Sequence, residues 1–494
     1  MEERTPKITL VELAPTSGGE LLAPRVNDVY SKINLSSRAI PLLYSILDNS
    51  GYSNVESIDT RYNENGQIKG DNFSRIFDSD YLLASSIIRT LPQTLELAKE
   101  YKQFNPDGTF IMGGHPATFL ADEILERDVD IAVRGEGDKT LPELLETLEN
   151  KESLRKVKGI SYVSNPGDIV NNSPREFISE EEMNNLPTPI YSEGTGKRAV
   201  LETARGCPYG CEYCGVTQFF GRKTRRKSND KILTDLENIL SNGAKNIFFT
   251  DDHFAMRKDK TKELLENMAR DSSMNQVSYS AQLSINSAFR DSKSLEIDTE
   301  FLDLLSMSNF GYVFLGIESL NDKTLEEWKK PATAERNILA VRAFRNAGIP
   351  VHGMMMIGSD SDTNETLNET SKWSRKNLDS VQYFAPIPIP GTPFGDKMKN
   401  EGRVIPNDFP KDYHLYDGQY VIINPKNFSP LELQNKIFKM HEDFYKIPGN
   451  IGSIIKSPIS LTKSAIHLYS RNILKSIKRE PQTQKYLERL TQFE

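Results

Sequence analysis

Short apolar runs of β type alternate with amphipathic stretches from residue 7 to about 150. The runs fall at 8–13, 55–59, 81–88, 109–112 and 131–133, separated by helical patterns near 37–49, 91–104, 116–127 and 140–150. Strand–helix alternation at this spacing predicts parallel βα units. Five such strands make a doubly wound domain whose ligand lies beyond the carboxyl ends of the strands. The loops at that end are Leu13-Ala14-Pro15, the segment 86–90 starting at Ser86, Gly113-Gly114-His115-Pro116 and Arg134-Gly135-Glu136-Gly137. Glycine lets a backbone approach a bulky ligand and equally serves plain turns, so each glycine alone carries both readings.

A connector follows over 151–195, with a short β element at 157–163 and a proline-marked boundary at Leu186-Pro187-Thr188-Pro189-Ile190. A second α/β series then begins, with strands expected at 199–203, 246–250, 277–283, 311–317, 350–357 and 380–386, each but the last followed by a helical pattern. Six such units fit a partial (β/α)6 barrel. The division expected is therefore 1–150, 151–195, 196–400 and 401–494. The last part reads as polar loops with aromatic residues, then helices near 430–446 and 459–479. The segment 459–479 sets Leu461, Ile466, Leu468, Ile473, Leu474 and Ile477 near helical spacing, with basic residues elsewhere. Packing on the barrel is the plain reading; contact with a membrane surface is the alternative if the substrate is a lipid.

A chain of 494 residues exceeds what one hydrophobic core supports, so two or three domains are expected. Its 37% hydrophobic and 26% charged residues are ordinary for a soluble protein, and a net charge of −8 gives no general pull toward nucleic acid. The start, Met1-Glu2-Glu3-Arg4-Thr5-Pro6, is the opposite of a secretory signal, and apolar stretches such as 81–88 and 351–357 are far short of the roughly 20 residues that span a bilayer. The expected compartment is the reducing cytoplasm.

The three cysteines of the chain fall together in Ala204-Arg205-Gly206-Cys207-Pro208-Tyr209-Gly210-Cys211-Glu212-Tyr213-Cys214. Thiolates at CxxxCxxC spacing can hold three corners of a 4Fe-4S cubane, leaving the fourth iron open to a small molecule. A disulfide would strand one thiol. Structural zinc asks for four N or S ligands, and histidines 115, 253, 352, 414, 441 and 467 supply no HxxxH pair. Zinc or inert cysteines stand as the alternatives. With no further cysteine, the chain holds no auxiliary cluster and no cysteine acceptor outside the motif.

The cysteine spacing, Tyr213 before the third cysteine and the apolar run Arg198-Ala199-Val200-Leu201-Glu202 leading into the loop resemble the radical S-adenosylmethionine (SAM) superfamily. The resemblance implies that SAM chelates the open iron through its amino and carboxylate groups. It also implies that an external one-electron reductant such as flavodoxin or ferredoxin drives its cleavage to a 5'-deoxyadenosyl radical. SAM contacts are expected at strand ends. Thr250-Asp251-Asp252-His253 stands where many members carry Gly-Gly-Glu; lacking those glycines, it leaves the contact to backbone carbonyls or Asp251, with Asp252 as a helix cap. Gln282 and Glu318 end the third and fourth strands, and Tyr213 resembles the aromatic packed beside adenine. Met354, Met355 and Met356 read as core, and the basic run 222–227 as a solvated face, with an anionic ligand as the alternative.

The order of GGHP and RGEG loops, followed by Thr140-Leu141-Pro142-Glu143, looks like the N-terminal domain of cobalamin-binding radical SAM enzymes. The architecture implied is a doubly wound Rossmann-like cobalamin-binding domain, a partial (β/α)6 radical SAM barrel and a helical C-terminal region. The cobalamin contacts implied are Ser86, Gly113, Gly114, His115, Gly135, Glu136 and Gly137. The DxHxxG signature that gives some cobalamin proteins a cobalt-ligating histidine is absent, which implies a corrinoid held by its periphery; His115 is a cobalt-side contact or a loop cap. The function implied is methylation of an unactivated carbon of a small-molecule or lipid substrate through the deoxyadenosyl radical and methylcobalamin. The alternatives are radical cyclisation or carbon–carbon bond formation without methyl transfer, and a non-catalytic corrinoid- or metal-binding regulator.

Overall fold

A computed structural model describes residues 5–16, 20–21, 37–59, 71–191, 198–405, 408–446, 475 and 477–493. The N-terminal sheet contains β1 (Ile8–Glu12), β2 (Val55–Asp59), β3 (Tyr81–Ser86), β4 (Thr109–Gly114), β5 (Ile131–Val133), β6 (Ile160–Asn165) and β7 (Asp168–Asn171) in the order 2-1-3-4-5-6-7. The first five pair in parallel; β6 and β7 add antiparallel. The sheet thus has seven strands rather than the five expected. It runs past residue 150 into the segment read as a connector, because 157–163 contributes its apolar run to β6 and a tight turn at Gly167 returns the chain as β7.

Strand β3 stops two residues earlier than its apolar run. The Thr90 side chain accepts from the Ile87 amide at 3.2 Å and turns the chain into a 3₁₀ segment before the helix Leu91–Phe104. The helix expected at 116–127 is two short pieces, His115–Phe119 and Ala121–Leu125, broken at Leu120. Apolar residues bury on both faces of this sheet, as parallel strands require.

The second sheet comprises β8 (Arg198–Leu201), β11 (Asn246–Phe249), β12 (Ser278–Ser284), β13 (Phe310–Glu318), β14 (Val351–Met356) and β15 (Ser380–Phe384), all parallel in sequential order; β9 (Ala204–Arg205) and β10 (Arg225–Arg226) form a separate antiparallel pair. The connecting helices Asn229–Ser241, Lys258–Arg270, Thr299–Met307, Ala334–Asn346 and Asn364–Asn377 cover its outer face. The last strand also gains a helix, Pro430–Phe444, from the C-terminal region. There the Tyr445 hydroxyl accepts from the Val381 amide at 3.0 Å and donates to its carbonyl at 2.7 Å, while His441 Nε2 accepts from the Tyr383 amide at 3.0 Å. Side chains thereby occupy backbone groups that an edge strand leaves open.

Tyr416, Tyr420, Ile422, Tyr486 and Leu490 pack into the N-terminal core, and Arg89 pairs with Asp417 at 3.1 Å. The C-terminal region therefore touches both sheets. Most of the helix expected at 459–479 lies outside the described residues. No helix among the described residues is long and apolar enough to cross a membrane.

Candidate active site between the two sheets

The cysteine loop leaves β8, passes through β9 and turns at Gly206, where φ is +85° and a Cβ would come within 2.5 Å of the Lys223 carbonyl. Asp251 holds the approach to that turn. Its carboxylate accepts from the amides of Thr203 (2.6 Å) and Ala204 (2.9 Å) and from the Thr203 hydroxyl. Asp251 is thus spent on shaping the loop and does not offer the free SAM contact expected of it. Asp252 does not cap the next helix, which begins at Lys258. Instead its Oδ2 is buried without a hydrogen-bond partner, as are Thr250 Oγ1 and His253 Nδ1, and burial pushes its carboxyl up to about 6. Buried polar atoms are normally satisfied, so three orphans on one loop mark a place for a ligand.

Cys207, Cys211 and Cys214 are free and half-buried. Burial raises all three thiols, Cys214 to about 12. Among the described residues no three His, Cys, Asp or Glu side chains converge as ligands of a single ion would. A cubane asks for less convergence, because each thiolate binds a different iron. Beside the loop, Glu318 holds φ +60° where the β13–β14 register slips, and its Oε1 accepts from Lys330 Nζ at 2.7 Å. Tyr213 lies beside Glu318, and its ring meets Trp328 edge-on at 5.8 Å. Strain of this kind gathers at functional sites. Lys330 was not legible in the sequence, where it is one of many lysines; its buried place beside the cysteines comes from the Lys329–Lys330 turn. Gln282 sits inside the barrel, paired in register with Phe314, two residues before the end of its strand.

Beyond the carboxyl ends of β1, β3, β4 and β5 lies a cavity of about 520 Å³, walled on its far side by Gly215, Val216, Phe219 and Phe220 at and within the short helix that follows the cysteine loop. Ser86, Gly113, Gly114, His115, Gly135, Glu136 and Gly137 all line it. Gly114 has φ +96°, and a Cβ there would meet the Ser86 carbonyl at 2.2 Å, so the strand ends can close up only with glycine. His115 lies 4.5 Å from the Phe119 ring and 6.2 Å from that of Phe219. Both its ring nitrogens are buried without partners, and burial pushes the imidazole down to about 4. A glycine-edged apolar slot at the switch point of a 2-1-3-4-5 sheet, with an unpaired histidine at its mouth, fits a corrinoid.

Glu136 is not open to such a ligand in the way its loop suggested. Its carboxylate binds Arg205 at 3.0 Å, Arg225 at 2.9 Å and the Ile178 amide at 2.9 Å. Arg205 also reaches Asp138 (2.7 Å) and Glu202 (2.9 Å), and Glu202 pairs with Arg38 at 3.0 Å. Three arginines and three carboxylates thus interlock between the sheets, two residues before Cys207. The basic run is correspondingly split: Arg222 and Lys223 are exposed, as a solvated face requires, whereas Arg225, Arg226 and Lys227 are buried. Sequence separations of 67 and 69 residues concealed the arrangement.

Family models match at residues 46–145 for the B12 binding domain and 201–373 for the radical SAM superfamily. The hopanoid C-3 methylase of Methylococcus capsulatus is 25% identical over 364 residues, covering 73% of this chain and 67% of that protein. The anaerobic magnesium-protoporphyrin IX monomethyl ester cyclase of Cereibacter sphaeroides is 25% identical over 422 residues, covering 82% and 66%. Among solved structures, the cobalamin-dependent S-adenosylmethionine radical enzyme OxsB with aqua-cobalamin and SAM bound superposes with a TM-score of 0.70 at 18% identity, covering 99% of this chain and 75% of that one. The methyltransferase TsrM from Kitasatospora setae with cobalamin and [4Fe-4S] cluster bound gives 0.64 at 17%, covering 80% and 78%. The chain thus carries a B12-binding domain followed by a radical SAM domain.

Proposed function

We propose that this protein methylates an unactivated carbon of a small-molecule substrate. The observation that carries the reading is the closeness of the two candidate cofactor sites: His115 and the glycine rim face, across one cavity, the helix Val216–Phe220 that directly follows Cys214. When bound, a 4Fe-4S cluster with SAM and a cobalamin supply a hydrogen-abstracting radical and a transferable methyl group.

The chain's own work is positioning. Cys207, Cys211 and Cys214 hold three irons, and Asp251 fixes the loop that carries them. Asp252 Oδ2 offers an acceptor to the amino group of SAM. Lys330 offers a cation to its carboxylate, and Tyr213 and Glu318 border the adenosine. Ser86, Gly113, Gly114, Gly135 and Gly137 form the corrinoid slot with His115 at its mouth, while Glu136 joins the slot to the barrel. The arginine–carboxylate lattice fixes the two sites relative to one another and excludes water between them. A flavodoxin or ferredoxin supplies the electron in the reducing cytoplasm, at the membrane surface where the substrate is a lipid.

The similarity to the cyclase over 82% of this chain favours a second reading, ring closure without methyl transfer. Anaerobic reconstitution with iron and corrinoid, followed by mass analysis of products, separates them. Methylation adds one CH2 unit and yields 5'-deoxyadenosine; ring closure adds no carbon. Iron uptake without cobalt would remove the methyl-transfer reading.

A further inference from the structure

Strands β3 and β4 stay paired to their carboxyl ends, where Ser86 lies in register with Gly114. Strands β4 and β5 do not: their ladder joins Ile111 to Ile131 and Met112 to Ala132, and stops there. Past Met112 the two chains part, and Gly113-Gly114 and Gly135-Glu136-Gly137 become separate walls of the cavity. Each wall has its own anchor. The first belongs to the β3–β4 ladder. The second is tied outward to the β6–β7 hairpin, where the Arg134 amide donates to the Gly159 carbonyl at 2.8 Å and its guanidinium to the Ile160 carbonyl at 3.0 Å. It is tied toward the barrel by Glu136, through Arg205 and Arg225. These anchors alone would leave the spacing of the walls to two unconnected parts of the fold.

Among the described residues, Thr118 joins them. From the short helix His115–Phe119, its hydroxyl donates to the Gly114 carbonyl at 3.0 Å and accepts from the Gly135 amide at 2.9 Å. The first bond is the back-bond that threonine often makes to the carbonyl four residues earlier in a helix. It commits the hydroxyl proton to Gly114 and leaves a lone pair for Gly135, 17 residues away in sequence. Both partners sit where the backbone leaves the strand direction, with φ +96° at Gly114 and +74° at Gly135. Thr118 itself is half-buried and stands behind the lining of the cavity.

We propose that Thr118 is the positioning residue of the corrinoid slot: its hydroxyl sets the separation of the two glycine walls, and thereby the affinity for the corrinoid, without touching it. This rests on the corrinoid part of the proposed function and adds which side chain fixes the width of the slot. The requirement is chemically narrow. Joining a carbonyl to an amide takes a group that donates and accepts at once, which serine can do and valine or alanine cannot. Without it, two backbone groups at the rim lose their shared partner and the slot must be ordered by the ligand, at the expense of affinity.

The test uses the whole chain, loaded with iron and free of corrinoid, titrated anaerobically with hydroxocobalamin by equilibrium dialysis and cobalt analysis. Thr118→Val and Thr118→Ala are expected to bind about tenfold more weakly than the parent, and Thr118→Ser within about twofold of it. Thr147→Val removes a hydroxyl of the same domain that bonds along its own helix, to the Glu143 carbonyl at 2.7 Å, and should leave the affinity unchanged. Circular dichroism and iron content confirm that each variant folds and takes up iron. Parental affinity in Thr118→Val and Thr118→Ala, or a Thr118→Ser protein as weak as those two, would overturn the assignment and leave the corrinoid reading standing. A parent that binds no cobalt would instead remove the corrinoid reading, and the role of Thr118 with it.

Discussion

The interface between the sheets and the barrel rim bury comparable numbers of polar groups under opposite rules. At the interface, Arg205, Glu136, Asp138, Glu202, Arg225 and Arg38 each have an opposite charge within 3.0 Å. At the rim and in the lumen, Thr250, Asp252, His253, His352 and Gln382 each keep a buried polar atom with no partner. An ion lattice paired in this way serves first as a fastening, with Glu202 Oε1 and Arg225 Nε alone of its atoms buried without a hydrogen bond. Orphaned groups cost stability in the free protein and recover it when a ligand arrives. The contrast separates residues that hold the site's shape from those that meet its contents, even within adjacent Asp251 and Asp252.

The sharpest break of that contrast lies at the cysteines. Cys211→Ala should abolish 5'-deoxyadenosine formation and lower bound iron, read by metal analysis and chromatography, with the fold intact by circular dichroism. Next comes the fastening: Arg205→Met strands Asp138 in the interior, leaves Glu136 to Arg225 and Glu202 to Arg38, and should cost about 3–5 kcal/mol by urea unfolding. A loss below about 1 kcal/mol would mean the lattice is not doing what its geometry indicates.

A third effect comes from pH. Burial pushes His441 down to about 4, and its Nε2 accepts from the Tyr383 amide, which requires the neutral ring with its proton on Nδ1 facing the Ile437 carbonyl. The folded value lies below the ordinary 6.5, so the unfolded chain takes up the proton first. Stability is full above 6.5 and falls as pH drops toward 4, by about 3 kcal/mol from this group. Calorimetry across that window should show the decline, and His441→Gln should flatten part of it. The smallest effects are at the orphans. Asp252→Asn should weaken SAM binding about tenfold by calorimetric titration with little change in melting temperature. Asp251→Asn should do the reverse, lowering stability more than affinity.

Much of this was readable from the chain, and the limits were physical. Apolar runs at fixed spacing gave the parallel strands because buried β positions must be apolar whatever surrounds them. The cysteine loop was readable because cluster ligation is local. The β6–β7 hairpin was half visible: 157–163 is apolar, but its partner Asp168–Asn171 is four residues with one buried face at most. Lys330, Asp252 and the role of Glu136 were not visible, because the first two are marked out by burial, which the fold decides, and the third by arginines far away in sequence. The alternation of small polar and aromatic residues inward with Val, Leu and Ile outward was present in Ser278–Ser284 and Phe310–Glu318. It gains meaning once the inward face is known to be half-exposed.

The Tyr445 and His441 contacts to β15 have a consequence for how this chain can be handled. A shortened protein ending before Pro430 would uncover amides and a carbonyl on the outermost strand and present them to the same strand of another molecule. Such a fragment should self-associate into sheet-stacked aggregates, which makes the C-terminal helix a guard against oligomeric misassembly rather than a dispensable tail.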